Sequence, residues 1–162
     1  MPAPGRCVER EYLAALGRVA GWRSENQELV LVDDEAAELL RYGRATPVGD
    51  WEVTAFLSGN AVSSPLLGSQ ITARFSEDGT LTGSAGCNAY NTTFTTDRGK
   101  IKISMPAATR KLCSTPKGVM EQEAAYLAAL PAAVRYRVDG GSLSLLTADG
   151  TYVVSYARAG QP

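Results

Sequence analysis

Histidine occurs nowhere in the 162 residues. Its absence removes the side chain most often used as general base, metal ligand and near-neutral pH switch. Cysteine is scarce as well: Cys7, Cys87 and Cys113 are the three, and none forms a Cys-x-x-Cys pair. A four-ligand zinc site cannot be built from that set. Charge of one sign is also missing, because sixteen basic and seventeen acidic residues leave a net charge of −1. Residues 1–46 hold six Arg against eight acids, and residues 47–162 hold ten basic against nine acidic residues, so neither part is biased. The balance supplies no overall attraction to nucleic acid or to an anionic membrane. No apolar run is long enough to span a bilayer. Met1-Pro2-Ala3-Pro4-Gly5-Arg6-Cys7 lacks the apolar core of a signal peptide. On these grounds we expect no metal, no cofactor, no catalytic constellation, no nucleic-acid partner and no transmembrane segment.

What is present is ordinary globular material, 44% hydrophobic and 20% charged. The length suits one domain plus a piece of another. Tyr12-Leu13-Ala14-Ala15-Leu16 returns as Tyr126-Leu127-Ala128-Ala129-Leu130, an offset of 114 (126 − 12). The same offset places Trp22 on Tyr136, Leu29 on Leu143, Leu31 on Leu145, Leu39 and Leu40 on Val153 and Val154, and Tyr42 on Tyr156. Upstream, Met1-Pro2-Ala3 resembles Met105-Pro106-Ala107, and Cys7 falls on Cys113 after a gap. A five-letter word can arise by chance, but matched apolar positions over two further strands argue for an internal repeat. Residues 1–46 are then expected to be the back half of a unit plus a linker at Thr46-Pro47-Val48-Gly49. Residues 47–158 form a whole unit, and 159–162 a tail.

In the whole unit, Asp50 to Leu57 alternates as a half-buried strand, and Ser58 to Gly68 reads as a long loop. Ile71–Phe75 and Thr80–Gly83 flank Glu77-Asp78-Gly79, a hairpin signal. Asn91–Thr96 and Lys100–Ser104 flank Asp97-Arg98-Gly99, with Ile101 and Ile103 on one face and Lys100 and Lys102 on the other. Thr115-Pro116 predicts a helix start, Met120, Ala124, Leu127 and Leu130 its apolar stripe, and Pro131 its end. Val134–Val138, Leu143–Leu146 and Thr151–Ala157 predict a closing meander with turns at Asp139-Gly140-Gly141 and Asp149-Gly150. The expected class is α+β: a strongly curved antiparallel β-sheet or incomplete (cracked) β-barrel of about eight strands. One helix packs where the barrel fails to close, and a helix-plus-hairpin half-repeat precedes it all. In that half-repeat a helix is expected near Glu9–Leu16 and strands near Glu28–Val32 and Ala37–Tyr42.

The stretch around which this arranges itself is Gly83-Ser84-Ala85-Gly86-Cys87-Asn88-Ala89-Tyr90, whose glycines imply a bulge or tight corner in the sheet. Cys113 follows 26 positions after Cys87. The two are expected to form a disulfide if the chain is exported and to remain buried thiols in a reducing compartment. Without histidine to activate it, Cys87 is structural rather than nucleophilic, and Asn88 reads as a turn-former.

In this order the residues resemble a META domain, the family that includes the heat-inducible HslJ-like proteins. The resemblance rests on Trp51, Phe75, Gly83-x-x-Gly86-Cys87-Asn88-x-Tyr90, Phe94, Thr109 before Cys113, Glu123, Tyr126 to Leu130 and Leu143-x-Leu145. It covers residues 48–158, and residues 1–42 resemble the back half of a second copy. The resemblance implies an α+β, barrel-like domain of bacterial envelope or secreted proteins, often lipoproteins, linked to stress rather than to a known reaction.

Three functional readings stand beside it: a non-enzymatic module that binds or supports an envelope component, a carrier of a small apolar ligand in the barrel, and a hydrolase lacking His. Arg98, Lys100, Lys102, Arg110, Lys111 and Lys117 fall within twenty positions that contain no acid after Asp97. They read as a solvated face or as a docking surface for an acidic partner. Asp33-Asp34-Glu35 lacks the ligands and glycine of a calcium loop. Residues 1–44 carry apolar positions in need of cover, so self-association through them is expected, with Cys7 free to cross-link two chains.

Overall fold

The computed structural model describes residues 5–25, 28–43 and 45–160, and it divides into two units, Met1–Arg44 and Ala45–Pro162. In the first, helix α1 (Gly5–Gly17) precedes strands β1 (Gly21–Glu25), β2 (Glu28–Val32) and β3 (Glu38–Tyr42). The three make an antiparallel sheet in the order β1-β2-β3. Its β2–β3 hairpin falls where the sequence predicts it. Strand β1 is an addition: Gly21-Trp22-Arg23-Ser24-Glu25 has one large apolar residue, so no alternation announces it, and pairing with β2 makes it a strand. The Cys7 side chain lies outside the described residues.

The second unit begins with β4 (Gly49–Ser58), β5 (Ala61–Ser63), β6 (Thr72–Phe75), β7 (Thr80–Ser84), β8 (Ala89–Asp97), β9 (Lys100–Ile103) and β10 (Ala107–Ala108). Helix α2 (Val119–Ala129) and a 3-10 turn (Leu130–Ala132) follow, then β11 (Arg135–Asp139), β12 (Ser142–Leu146) and β13 (Tyr152–Arg158). The segment expected as a loop after β4 therefore carries β5, which pairs back on β4.

Eight strands form an antiparallel ring in chain order: β4, β6, β7, β8, β9, β11, β12, β13 and back to β4. Strand β10 pairs with β8 beside it. First and last strands meet over five registered positions, with a bulge between Ser155 and Tyr156. The weak point is the β9–β11 seam. It has one ladder pair, Arg135 with Lys100, flanked by Ile101 N–H to Val134 O (3.1 Å) and Tyr136 N–H to Gly99 O (2.9 Å). The chain leaves the wall there to build β10 and α2, so the incompleteness expected of the barrel is confined to this junction. The helix does not lie over it. It packs on β4 and β13, while the 3-10 turn sits beside β9.

Alternation fills the lumen. Tyr90, Thr92 and Phe94 of β8, Ile101 and Ile103 of β9, and Leu143 and Leu145 of β12 all point inward. Trp51, Phe56, Phe75, Leu81, Tyr126 and Tyr156 complete one continuous core. Phe75 meets Phe94 edge-on at 5.0 Å and Tyr156 at 6.2 Å, the favoured aromatic geometry. The barrel is a packed interior rather than a vessel.

The helix starts later than Thr115-Pro116 implies. Gly118, at φ 90°, occupies the left-handed region and holds the chain out of helical geometry until Val119. Its buried face also differs from the predicted Met120, Ala124, Leu127, Leu130 stripe: Val119, Gln122, Glu123, Tyr126 and Ala129 turn inward, and Ala124 is exposed. Two of these are polar. A pattern of apolar residues cannot reveal a face whose burial is made possible by hydrogen bonds from other elements.

Tyr126 brings a hydroxyl into the core, where it bridges the Tyr90 hydroxyl (2.8 Å) and the Tyr156 hydroxyl (3.3 Å). Tyr90 OH donates to Thr72 O at 3.0 Å. Burial pushes all three phenols above their usual range. The unfolded chain therefore ionises first. The stability these groups contribute is complete below pH ~10 and declines as pH rises above it. Phenolate absorbance should show these three tyrosines titrating together with unfolding, not before it. Tyr126→Phe leaves the Tyr156 hydroxyl without that partner and should cost about 1–3 kcal/mol in urea denaturation. Tyr156→Phe, which leaves Tyr126 paired to Tyr90, should cost less.

Candidate functional site

The glycine-rich corner joins β7 to β8 under the start of α2. Gly83 cannot be replaced there without moving backbone, because a Cβ would stand 2.0 Å from Thr72 O on β6. Gly86, at φ 114°, is constrained twice: the angle suits glycine, and a Cβ would meet Ser69 Oγ at 2.7 Å and Gln122 Nε2 at 2.8 Å. These contacts let the corner slide beneath the helix. Gln122 then accepts from Leu66 N–H (2.7 Å) and donates to Ser69 Oγ (2.7 Å), fastening the β5–β6 connection to α2.

Asn88, next in line, is 1% exposed. Its Nδ2 donates to Glu123 Oε1 (2.8 Å) and to Lys111 O (3.0 Å). Its Oδ1 accepts from Thr109 Oγ1 (2.7 Å) and Lys111 N–H (2.7 Å). Its backbone N–H reaches Glu123 Oε2 at 2.8 Å. Two donors and two acceptors exhaust what a side-chain amide can offer. One residue thus ties β8 to α2 and to the strap 109–111, and it does far more than form a turn.

The strap is held covalently as well. Cys87 and Cys113 form a disulfide with Cα atoms 6.0 Å apart. With the Cys87 sulfur bonded and the Asn88 amide saturated, the motif is a clamp. Thr109 and Glu123 belong to the same clamp. Trp51 stands apart on β4: its Nε1–H donates to Pro47 O at 2.7 Å, and the Arg158 guanidinium lies 4.8 Å from its ring centroid. Among the described residues no group of three acidic or cysteine side chains could hold a metal ion. Asp33 is engaged by Arg18 at 3.0 Å and by the backbone N–H of Glu35 and Ala37.

The six basic residues remain exposed but do not form one face. Arg98, Lys100 and Lys102 lie at the β8–β9 turn and on β9. Arg110, Lys111 and Lys117 lie on the strap and helix approach, next to the other end of β8. The nine-residue strand separates the two groups by about 26 Å at a rise of ~3.3 Å per residue. Structure replaces the distant three with two others. Arg135 pairs directly with Lys100, and Arg137 follows on the same outward face of β11. The alternation Arg135-Tyr136-Arg137-Val138 signals their outward direction in the sequence, but the neighbourhood with β9 exists only in the ring. Among described carboxylates, Asp97 alone forms an ion pair with any of these five, to Arg98 at 3.8 Å. A shallow groove of about 620 Å³ runs here, lined by Thr95, Thr96, Lys100, Lys102, Pro131 and Val134 among others.

A family model, the META domain, matches residues 44–160. Among solved structures, an NMR structure of a protein from Burkholderia xenovorans superposes with a TM-score of 0.56 at 25% identity, covering 70% of this chain and 83% of that one. A second NMR structure has a TM-score of 0.51 at 19% identity, covering 68% and 89%. A crystal structure of a DUF4847 family protein from Bacteroides vulgatus ATCC 8482 has a TM-score of 0.49 at 19% identity, covering 70% and 94%. No curated protein matches the chain.

The clamp leads to two expectations. Reduction of the Cys87–Cys113 bond, or Cys113→Ala, should lower unfolding free energy by about 3 kcal/mol for a loop of this length; an unchanged melting temperature would contradict it. Glu123→Gln keeps the shape of the side chain but presents an amide donor to a donor of Asn88. It should cost about 1–3 kcal/mol, whereas the same change at exposed Glu121 should cost almost nothing, both read from urea midpoints.

Proposed function

The chain belongs to the META domain family, and from that premise we propose that its barrel unit is a non-enzymatic binding module of the bacterial envelope or of a secreted protein, acting in stress. The strip of Lys102, Lys100, Arg98, Arg135 and Arg137 across the β9–β11 seam carries this reading. All five side chains are exposed, and among the described carboxylates only Asp97 forms an ion pair with any of them. Its ligand is an anionic surface, an acidic protein partner or an envelope polymer.

Three further observations support the reading. The lumen is filled by Trp51, Phe75, Tyr90, Phe94 and Tyr156, which favours recognition on the outside over carriage of an apolar molecule within. The disulfide favours an oxidising compartment. The one described buried carboxylate of the barrel, Glu123, is committed to Asn88, which favours binding over hydrolysis. Residues 1–44 take their place in the proposal as the back half of a second copy of the domain.

Polyglutamate serves as the test ligand. Lys100→Glu with Lys102→Glu should weaken its binding roughly tenfold or more and move the melting temperature little. The same exchange at Arg110 and Lys117 should have a smaller effect. Affinity that does not respond to the β9 pair overturns the assignment.

A further inference from the structure

The first unit presents an apolar face that matches, position by position, a face the barrel buries. Strand β1 pairs Gly21 with Val32 as β11 pairs Arg135 with Leu146. Leu29 faces Tyr42 as Leu143 faces Tyr156, and Leu31 faces Leu40 as Leu145 faces Val154. Even the irregularity recurs, between Leu31 and Val32 in one hairpin and between Leu145 and Leu146 in the other. The helices obey the same offset: Tyr12 OH meets Tyr42 OH at 2.8 Å, where Tyr126 OH meets Tyr156 OH.

The environments differ sharply. Tyr126, Tyr156, Leu130 and Leu143 are at most 1% exposed. Their counterparts Tyr12, Tyr42, Leu16 and Leu29 are 36–41% exposed, Leu13 is 57% exposed and Trp22 71%. Trp22, Leu29 and Tyr42 share one side of the sheet by register, and the Tyr12–Tyr42 bond sets the helix beside that side. The opposite side carries the solvated network of Arg41 with Glu25, Glu28 and Glu38. One face of the sheet thus carries charged side chains around buried Val30, and the other exposes large apolar side chains.

We propose that the apolar face of the first unit is a homodimer interface, covered by the same face of a second copy of this chain. The sheet positions of the patch, Trp22, Ser24, Leu29, Leu31, Leu40 and Tyr42, carry no charge, so two copies meet there without like-charge repulsion, as a two-fold interface requires. The six exposed side chains offer on the order of 600 Å² per copy, which doubles to the lower range of specific interfaces. Leu31 and Leu40, half-buried between Trp22 and the helix side, extend it. Trp22, the most exposed of the set and an aromatic anchor, is the central contact.

Light scattering on the full chain carrying Cys7→Ser, which removes any cross-link through that thiol, tests the interface. Over about 1 to 200 µM the mass should rise toward twice 17.2 kDa, with Trp22 emission shifting to the blue as copies associate. Trp22→Lys with Leu29→Lys should hold the mass at 17.2 kDa across that range and leave the barrel's melting temperature unchanged. Trp22→Lys alone, at a position already open to water, should weaken association at least about tenfold without unfolding the sheet. A monomer at the highest concentration overturns the proposal, whether Trp22 is then quenched freely or shielded within its own chain. A dimer that survives the double exchange places the interface elsewhere and overturns it too.

Discussion

The barrel unit depends on the side chain of Asn88. A sheet corner, a helix and an irregular strap would each expose backbone and polar groups at the point where they meet, and a buried group left unpaired costs about 1–3 kcal/mol. Asn88 removes that cost at one stroke, since its amide meets Glu123 on the helix and both backbone groups of Lys111 on the strap. The glycines beside it serve the same junction from a different direction. Gly83 and Gly86 let backbone approach Thr72 and Ser69 more closely than any side chain would allow, and the disulfide then fixes the strap that Asn88 orders. Gly83, Gly86, Cys87, Asn88 and Cys113 thus act together to position the helix on the barrel.

Once the helix is seated, the interior has little freedom. Glu123 anchors the helix to Asn88, and one turn later Tyr126 meets Tyr90 and Tyr156. The aromatic side chains then pack edge to face across the lumen. The charged side chains of the wall point outward. At the thin β9–β11 seam, two short strands turn Lys100, Lys102, Arg135 and Arg137 outward together. The first unit carries a three-stranded sheet with Trp22, Leu29 and Tyr42 exposed on one side. Each unit thus shows the same sheet chemistry directed to a different end, one inward to a core and one outward.

Much of this was legible in the chain. Alternating residues and Asp-Gly turns located the strands of the barrel, because a half-buried strand must repeat every two residues whatever surrounds it. The offset between Tyr12 and Tyr126 predicts an internal repeat, and the pairing of Cys87 with Cys113 is the one expected for an oxidising setting. Three things were decided only by tertiary structure. Strand β1 has no periodic signal and exists through its pairing with β2. The buried face of α2 includes Gln122 and Glu123, whose burial depends on partners 35 to 56 residues away in sequence. The basic residues of 98–117 form one run in sequence, but the length of β8 divides it and ring closure brings Arg135 beside Lys100. Sequence specifies local periodicity directly; which polar groups find partners, and which charges become neighbours, is settled when distant segments close on one another.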